Sequence, residues 1–127
     1  GDVLYPFGYG LSYSSFKYSD LQVKDGAGEV TVSFLLKNTG KRNGDEVAQV
    51  YVRIPDTGGI VPLKELKGFR RVPLKSGESR RVEIRLSKEQ LRYWDVEKGQ
   101  FVVPKGAFDI MVGASSKDIR LQTVIDL

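Results

Sequence analysis

The sequence predicts an all-β protein: an antiparallel β-sandwich of about seven strands with immunoglobulin-like topology. Three observations lead there. Apolar residues recur with period two along nearly the whole chain, the signature of half-buried strands. Turn signals rich in Gly, Pro and Asn interrupt that rhythm about every 8–12 residues, the spacing of a sandwich. No amphipathic helix lies between the strand-like segments, which excludes alternating strand–helix folds. The Cys…Trp…Cys pattern of antibody domains is missing, and periodicity alone leaves a barrel open. With 127 residues the chain is long enough for one domain and one core.

The first eighteen residues differ from the rest. Tyr5, Phe7, Tyr9, Tyr13, Phe16 and Tyr18 are six of the thirteen aromatics. Pro6, Gly8 and Gly10 break up the segment, so no regular strand is expected before about Ser15. The expected boundaries are an aromatic, Gly-rich arm over residues 1–14 and the sandwich over 15–127. An arm this aromatic must be covered, either by its own sandwich or by another domain. The opening Gly1-Asp2-Val3-Leu4 reads as the processed or excised end of something longer. No basic stretch followed by an apolar segment opens the chain, so no signal peptide is expected.

Asp25 and Glu29 bracket Gly26-Ala27-Gly28, a hairpin-like turn. Val30, Val32, Phe34 and Leu36 then alternate with Thr31, Ser33, Leu35 and Lys37. Asn38-Thr39-Gly40 supplies residues suited to a tight turn. After Asn43-Gly44, a strand runs from Val47 to Ile54 with apolar residues pointing both ways, which marks it as central. Pro55 ends it, and Asp56 to Pro62 is a Gly/Pro loop.

Leu66, Gly68, Phe69, Val72 and Leu74 mark an extended segment, with Phe69 expected in the core. It closes at Lys75-Ser76-Gly77-Glu78. Val82, Ile84 and Leu86 alternate strictly with Arg81, Glu83 and Arg85, so one face is buried and the other wet. Ser87-Lys88-Glu89-Gln90 has capping-box spacing and should start a single helical turn. Tyr93 to Val96 is expected to run on into Phe101-Val102-Val103, followed by strands Phe108–Val112 and Ile119–Val124. The turns Glu97-Lys98-Gly99 and Pro104-Lys105-Gly106 punctuate them.

Composition excludes several chemistries. There is no cysteine and no histidine. That removes disulfides, thiol nucleophiles, zinc–thiolate sites, Ser-His-Asp triads and histidine bases. Any metal would need oxygen ligands, and no metal site or cofactor is expected. Cysteine absence leaves the compartment open. No apolar run approaches the roughly 20 residues of a membrane span, so no membrane partner is expected.

Three carboxylate pairs invite a glycosidase reading: Asp45/Glu46, Asp95/Glu97 and Asp25/Glu29. Glycosidic cleavage needs two carboxyl groups facing each other across a cleft. Neighbours along a strand point to opposite faces, and turn carboxylates are ordinarily solvated, so none of the pairs is expected to be catalytic. Gly8-Tyr9-Gly10 lacks the Gly-Lys-Ser/Thr ending of a phosphate loop. No base stands ready to activate Ser12, Ser14 or Ser15.

Positive charge is concentrated between Lys64 and Arg81, where seven basic residues face two acidic ones, a local +5 against a chain total of +4. Either this stretch meets an anionic polymer, or it is the wet face of two strands; the second is the expectation. Nucleic acid would want aromatics interleaved on that face, so no nucleic-acid partner is expected. Trp94, beside Tyr93, could stack on a sugar, but a lone Trp in a sandwich is ordinarily core, and core is expected here.

A family resemblance runs through these same residues. Leu4-Tyr5-Pro6-Phe7-Gly8-Tyr9-Gly10-Leu11-Ser12-Tyr13 resembles the segment that opens the C-terminal fibronectin type III-like domain of glycoside hydrolase family 3 enzymes, mostly β-glucosidases and β-xylosidases. In order follow Lys37-Asn38-Thr39-Gly40, Gly44-Asp45-Glu46-Val47 with Gln49-Val50-Tyr51-Val52, Lys64-Glu65-Leu66-Lys67-Gly68-Phe69 and Leu74-Lys75-Ser76-Gly77-Glu78. Tyr93-Trp94-Asp95, Gly106-Ala107-Phe108 and Met111-Val112-Gly113 complete the series.

The resemblance implies a parent hydrolase that removes terminal β-linked sugars with retention. The family's nucleophile is an Asp in an N-terminal barrel and its acid/base is usually a Glu in the following α/β domain, so no catalytic residue carries over to this chain. It implies a non-catalytic domain whose partners are those barrel and α/β domains, with Tyr5, Phe7, Tyr9 and Tyr13 as docking residues. Burying several aromatics at about 25 cal/mol per Å2 would supply several kcal/mol of association. The alternative is a polysaccharide or anionic-polymer binding module that uses Trp94, Tyr93, Lys67, Arg70 and Arg71.

Overall fold

The computed structural model describes residues 15–54, 64–103 and 105–127. The expected arm over residues 1–14, the loop from Asp56 to Pro62, and Pro55 and Pro104 lie outside the described residues.

Among the described residues nine strands follow in order: β1 Phe16–Asp25, β2 Glu29–Asn38, β3 Gly44–Arg53, β4 Glu65–Leu74, β5 Ser79–Ser87, β6 Tyr93–Asp95, β7 Gln100–Val102, β8 Ala107–Ser115 and β9 Asp118–Asp126. Seven of them build the sandwich. Sheet one has the order β1-β2-β5 and sheet two the order β4-β3-β8-β9, while β6 and β7 pair only with each other. Every pairing is antiparallel. The two open sheets rule out the barrel.

The core is the sum of the in-phase residues. Val30, Val32, Phe34 and Leu36 of β2 and Val82, Ile84 and Leu86 of β5 meet Ala48, Val50 and Val52 of β3 and Phe108, Ile110 and Val112 of β8. β3 lies between β4 and β8, the central place its two-sided apolar pattern predicts. Its other face carries Tyr51, which pairs in register with Met111, and both are buried outside the core cluster.

The single helical turn forms as a 3-10 turn over Lys88–Leu91. The Gln90 side-chain oxygen accepts the Ser87 N–H at 2.9 Å, and Leu91 drops into the core. The Gln90 amide also donates to the Lys67 carbonyl at 3.1 Å, tying the turn to β4.

Tyr93 to Val103 is not one continuing strand. The Asp95 carboxylate accepts the N–H groups of Glu97 and Lys98 at 3.0 and 3.1 Å, and the Asp95 carbonyl accepts the Gly99 N–H at 2.8 Å. Gly99 has φ 62°, which a side chain would disfavour. The chain therefore reverses, and two three-residue strands form a short ribbon.

Two turns that are separate in sequence interlock in space. Asn38, fully buried at the end of β2, donates from its side-chain amide to the carbonyls of Arg42 and Leu74 at 2.9 and 3.1 Å. Its side-chain oxygen accepts the Gly40 N–H at 2.9 Å. Its backbone exchanges hydrogen bonds with Gly77 and Glu78 in the β4–β5 turn. Asn-Thr-Gly and Ser-Gly-Glu are thus two halves of one knot at this end of the sandwich.

Candidate functional site

None of the three carboxylate pairs forms a catalytic dyad. Asp45 pairs with Arg71, while its neighbour Glu46 faces the sheet interior and accepts a hydrogen bond from Tyr18. Asp95 is used by its own turn. Asp25 lies 2.7 Å from the Lys88 ammonium. Among the described residues no group of three or more metal-capable side chains converges, and no helix is long and apolar enough to cross a membrane.

The basic stretch is divided, and four of its seven cations are ion-paired. Lys67 lies 2.9 Å from Glu65, Arg71 pairs with Asp45, Arg80 lies 3.4 Å from Glu78, and Arg81 pairs with Asp20. Arg70 donates to the Glu83 carbonyl at 3.1 Å, bridging the adjoining edges β4 and β5. Lys67, Arg70 and Arg71 are thus each held by a different neighbour: Glu65, the Glu83 carbonyl and Asp45. Arg70 and Arg71 are exposed, whereas the Lys67 side chain is mostly covered.

Two core expectations are overturned. Phe69 is 67% exposed. It is out of phase with Val72 and Leu74, and the inward position beside it is Gly68, where an added Cβ would sit 2.9 Å from Ile84 Cγ2 and from Leu86 Cδ2. β4 thus approaches β5 too closely for a side chain there, and Phe69 projects outward. Trp94 is 53% exposed because its strand belongs to neither main sheet. Its ring meets Phe101 edge to face at 5.1 Å. Tyr93 contributes backbone to β6; its side chain lies outside the described residues, as do the docking candidates Tyr5, Phe7, Tyr9 and Tyr13.

The structure does describe where the arm joins the sandwich. The Ser15 carbonyl accepts the Thr39 N–H at 2.8 Å, and the Phe16 carbonyl accepts a hydrogen bond from Arg120 at 2.9 Å. Beside this junction lies a cleft of about 570 Å3 lined by Ser15, Phe16, Asp45, Glu46, Ala114, Asp118 and Arg120. Burial is the main cause holding the Glu46 carboxyl above its usual range, with the Tyr18 hydrogen bond and Arg120 opposing. Burial and Glu46 together push the Tyr18 hydroxyl far up, so it remains a donor. Arg120 is anchored by both Asp118 oxygens, at 2.6 and 3.0 Å, and lies 5.4 Å over the Tyr18 ring. The group is a polar clasp between the sheets; sequence reading missed it because its members are far apart in the chain.

Comparison with known proteins gives one consistent result. A family model described as the fibronectin type III-like domain matches residues 46–116. "Probable beta-glucosidase L" of Aspergillus fumigatus is 40% identical over 137 residues, covering 91% of this chain and 18% of its own length. "Xylan 1,4-beta-xylosidase" of Xylanibacter ruminicola is 40% identical, covering 97% of this chain and 15% of its own. Among solved structures, the beta-D-glucoside glucohydrolase of Trichoderma reesei superposes with a TM-score of 0.84 at 37% identity, over 96% of this chain and 20% of that one. Beta-glucosidase 3B of Thermotoga neapolitana, in complex with glucose, gives 0.83 at 39% identity over 96% and 17%. The chain spans less than one-fifth of the length of the curated relatives it matches first.

Proposed function

The chain belongs to the fibronectin type III-like domain family, and on that footing we propose that it is the non-catalytic C-terminal accessory domain of a glycoside hydrolase family 3 enzyme. The parent is a β-glucosidase-like exo-glycosidase that hydrolyses terminal β-linked sugars. The domain's work is to pack on the catalytic barrel and α/β domains of the same polypeptide and stabilise them.

One observation carries this reading. Relatives named as β-glucosidases and a β-xylosidase match over more than nine-tenths of this chain, yet give up less than a fifth of their own length to it. The engagement of Asp25, Asp45, Glu46 and Asp95 in local contacts supports the non-catalytic part. The arm fits the docking part: Tyr5, Phe7, Tyr9 and Tyr13 would bury apolar rings against the catalytic body, with the three tyrosine hydroxyls at its polar margin.

The test has two steps. The full-length reading frame should encode the barrel and α/β portions ahead of this domain; an unrelated neighbour would overturn the proposal. In the full-length enzyme, Phe7→Ala with Tyr9→Ala should lower the melting temperature, and an unchanged melting curve would sink the docking role of the arm.

A further inference from the structure

The β6–β7 ribbon hydrogen bonds to neither main sheet. A two-stranded ribbon is marginal in water unless something packs on it. Trp94 and Phe101 stand opposite each other across it, and the Arg92 guanidinium lies 4.6 Å over the Phe101 ring. Both rings remain about half exposed. Val96 and Val103, on the same hairpin, are exposed as well. These four are half of the eight large apolar side chains exposed among the described residues, gathered within ten positions. Next to them a depression of about 360 Å3 is lined by Lys67, Ser87, Glu89, Gln90, Arg92 and Phe101.

We propose that this side of the ribbon is a second docking surface for the remainder of the same polypeptide, separate from the arm. The inference rests on the accessory-domain reading above. Trp and Arg are the residue types that dominate interface energetics when packed at the centre of a contact, and a polar rim of the kind beside the ribbon is the usual surround. Val96 and Val103 add nothing to sugar stacking, whereas a packed protein surface uses them. The relatives devote more than four-fifths of their length to other regions, so a covalently attached partner is at hand. The complementary surface is an apolar depression for Trp94, rimmed by oxygen acceptors for its indole N–H and for Arg92.

Hydroxyl-radical footprinting of the full-length protein, read by mass spectrometry, tests this with Phe69 as the internal exposed reference. Trp94 and Phe101 are expected to be labelled several-fold less than their exposure here dictates, while Phe69 is labelled freely. Trp94→Ala should restore labelling of Phe101 and lower the full-length melting temperature; Trp94→Phe should largely retain both. Free labelling of Trp94 and Phe101 overturns the inference. So does protection that appears only at high protein concentration, which points to a second copy, or only with added soluble β-glucan, which points to a sugar platform. An unrelated reading frame ahead of the domain refutes the accessory-domain reading by itself, and normal labelling within a true hydrolase refutes only the ribbon.

Discussion

The Tyr18 hydroxyl, from the edge strand of sheet one, donates a 2.9 Å hydrogen bond to Glu46 Oε2 at the start of β3 in sheet two. This bond and its neighbours Arg120 and Asp118 join the sheets just where the aromatic arm enters. The burial of Glu46 in this clasp has a pH-dependent consequence, which the Tyr18 hydrogen bond opposes. The folded state holds the Glu46 proton more tightly than the unfolded chain, because its pKa is raised mainly by burial. Its favourable contribution is therefore fully present below the ordinary glutamate pKa and is lost as pH rises through the raised folded value. Glu46→Gln should gain stability relative to wild type between about pH 4.5 and about pH 7, measured as urea midpoints at both values. A wild-type-to-variant difference that does not change with pH would refute the assignment.

Asn38 predicts a stability loss that no surface substitution should match. Its side chain satisfies two carbonyls and one N–H while fully buried. Asn38→Ala strands those groups and should cost roughly 2–3 kcal/mol. Asn38→Asp should cost at least as much, since it turns a carboxylate toward the carbonyls of Arg42 and Leu74. Denaturant titration of the two variants checks both; a loss below half a kcal/mol for either is not what this geometry allows.

Glycines 113 and 68 should differ in degree. A Cβ on Gly113 would lie 2.1 Å from the Asp118 carbonyl oxygen, and that backbone is fixed by the β8–β9 pairing. Gly113→Ala should leave little folded protein. At Gly68 the obstruction is side-chain carbon, which can shift at the cost of overpacking, so Gly68→Ala should lose about 1–3 kcal/mol and still fold. Soluble yield and melting temperature distinguish the two, and the opposite order would contradict the packing described.

Arg81 tests what holds the edge. Asp20 sits at φ 52° within the irregular part of β1, and Arg81 of β5 pairs with its carboxylate while donating to Ser33 Oγ at 2.8 Å. Arg81→Ala should speed amide hydrogen exchange over residues 17–23 while leaving β8 protected. Exchange over residues 17–23 that matches the wild type would show that the arginine does not secure the edge.

Much of this protein could be read from its residues in order. The period-two runs of β2 and β5 place Phe34 and Ile84 inward, because successive side chains of a strand must alternate faces and one face is the more apolar. The turn at Ser-Gly-Glu and the short helical turn at Ser87 follow from local backbone chemistry in the same way. Phe69 was legible too, through its phase against Val72 and Leu74, but its hydrophobicity argued the other way. Trp94 was not legible, since a three-residue strand has no phase to read.

What the tertiary structure alone decided is which distant groups meet. Sequence order cannot bring Tyr18 to Glu46, Asn38 to Leu74, or Arg81 to Asp20, because each pair is joined only when strands far apart in the chain are registered across or between sheets. Nor could alternation say that β6 and β7 stand outside both sheets, since membership of a sheet depends on which backbone edges remain free to pair. The residues determined a sandwich; the packing of its two sheets decided where it is clasped and which aromatic pair is left facing outward.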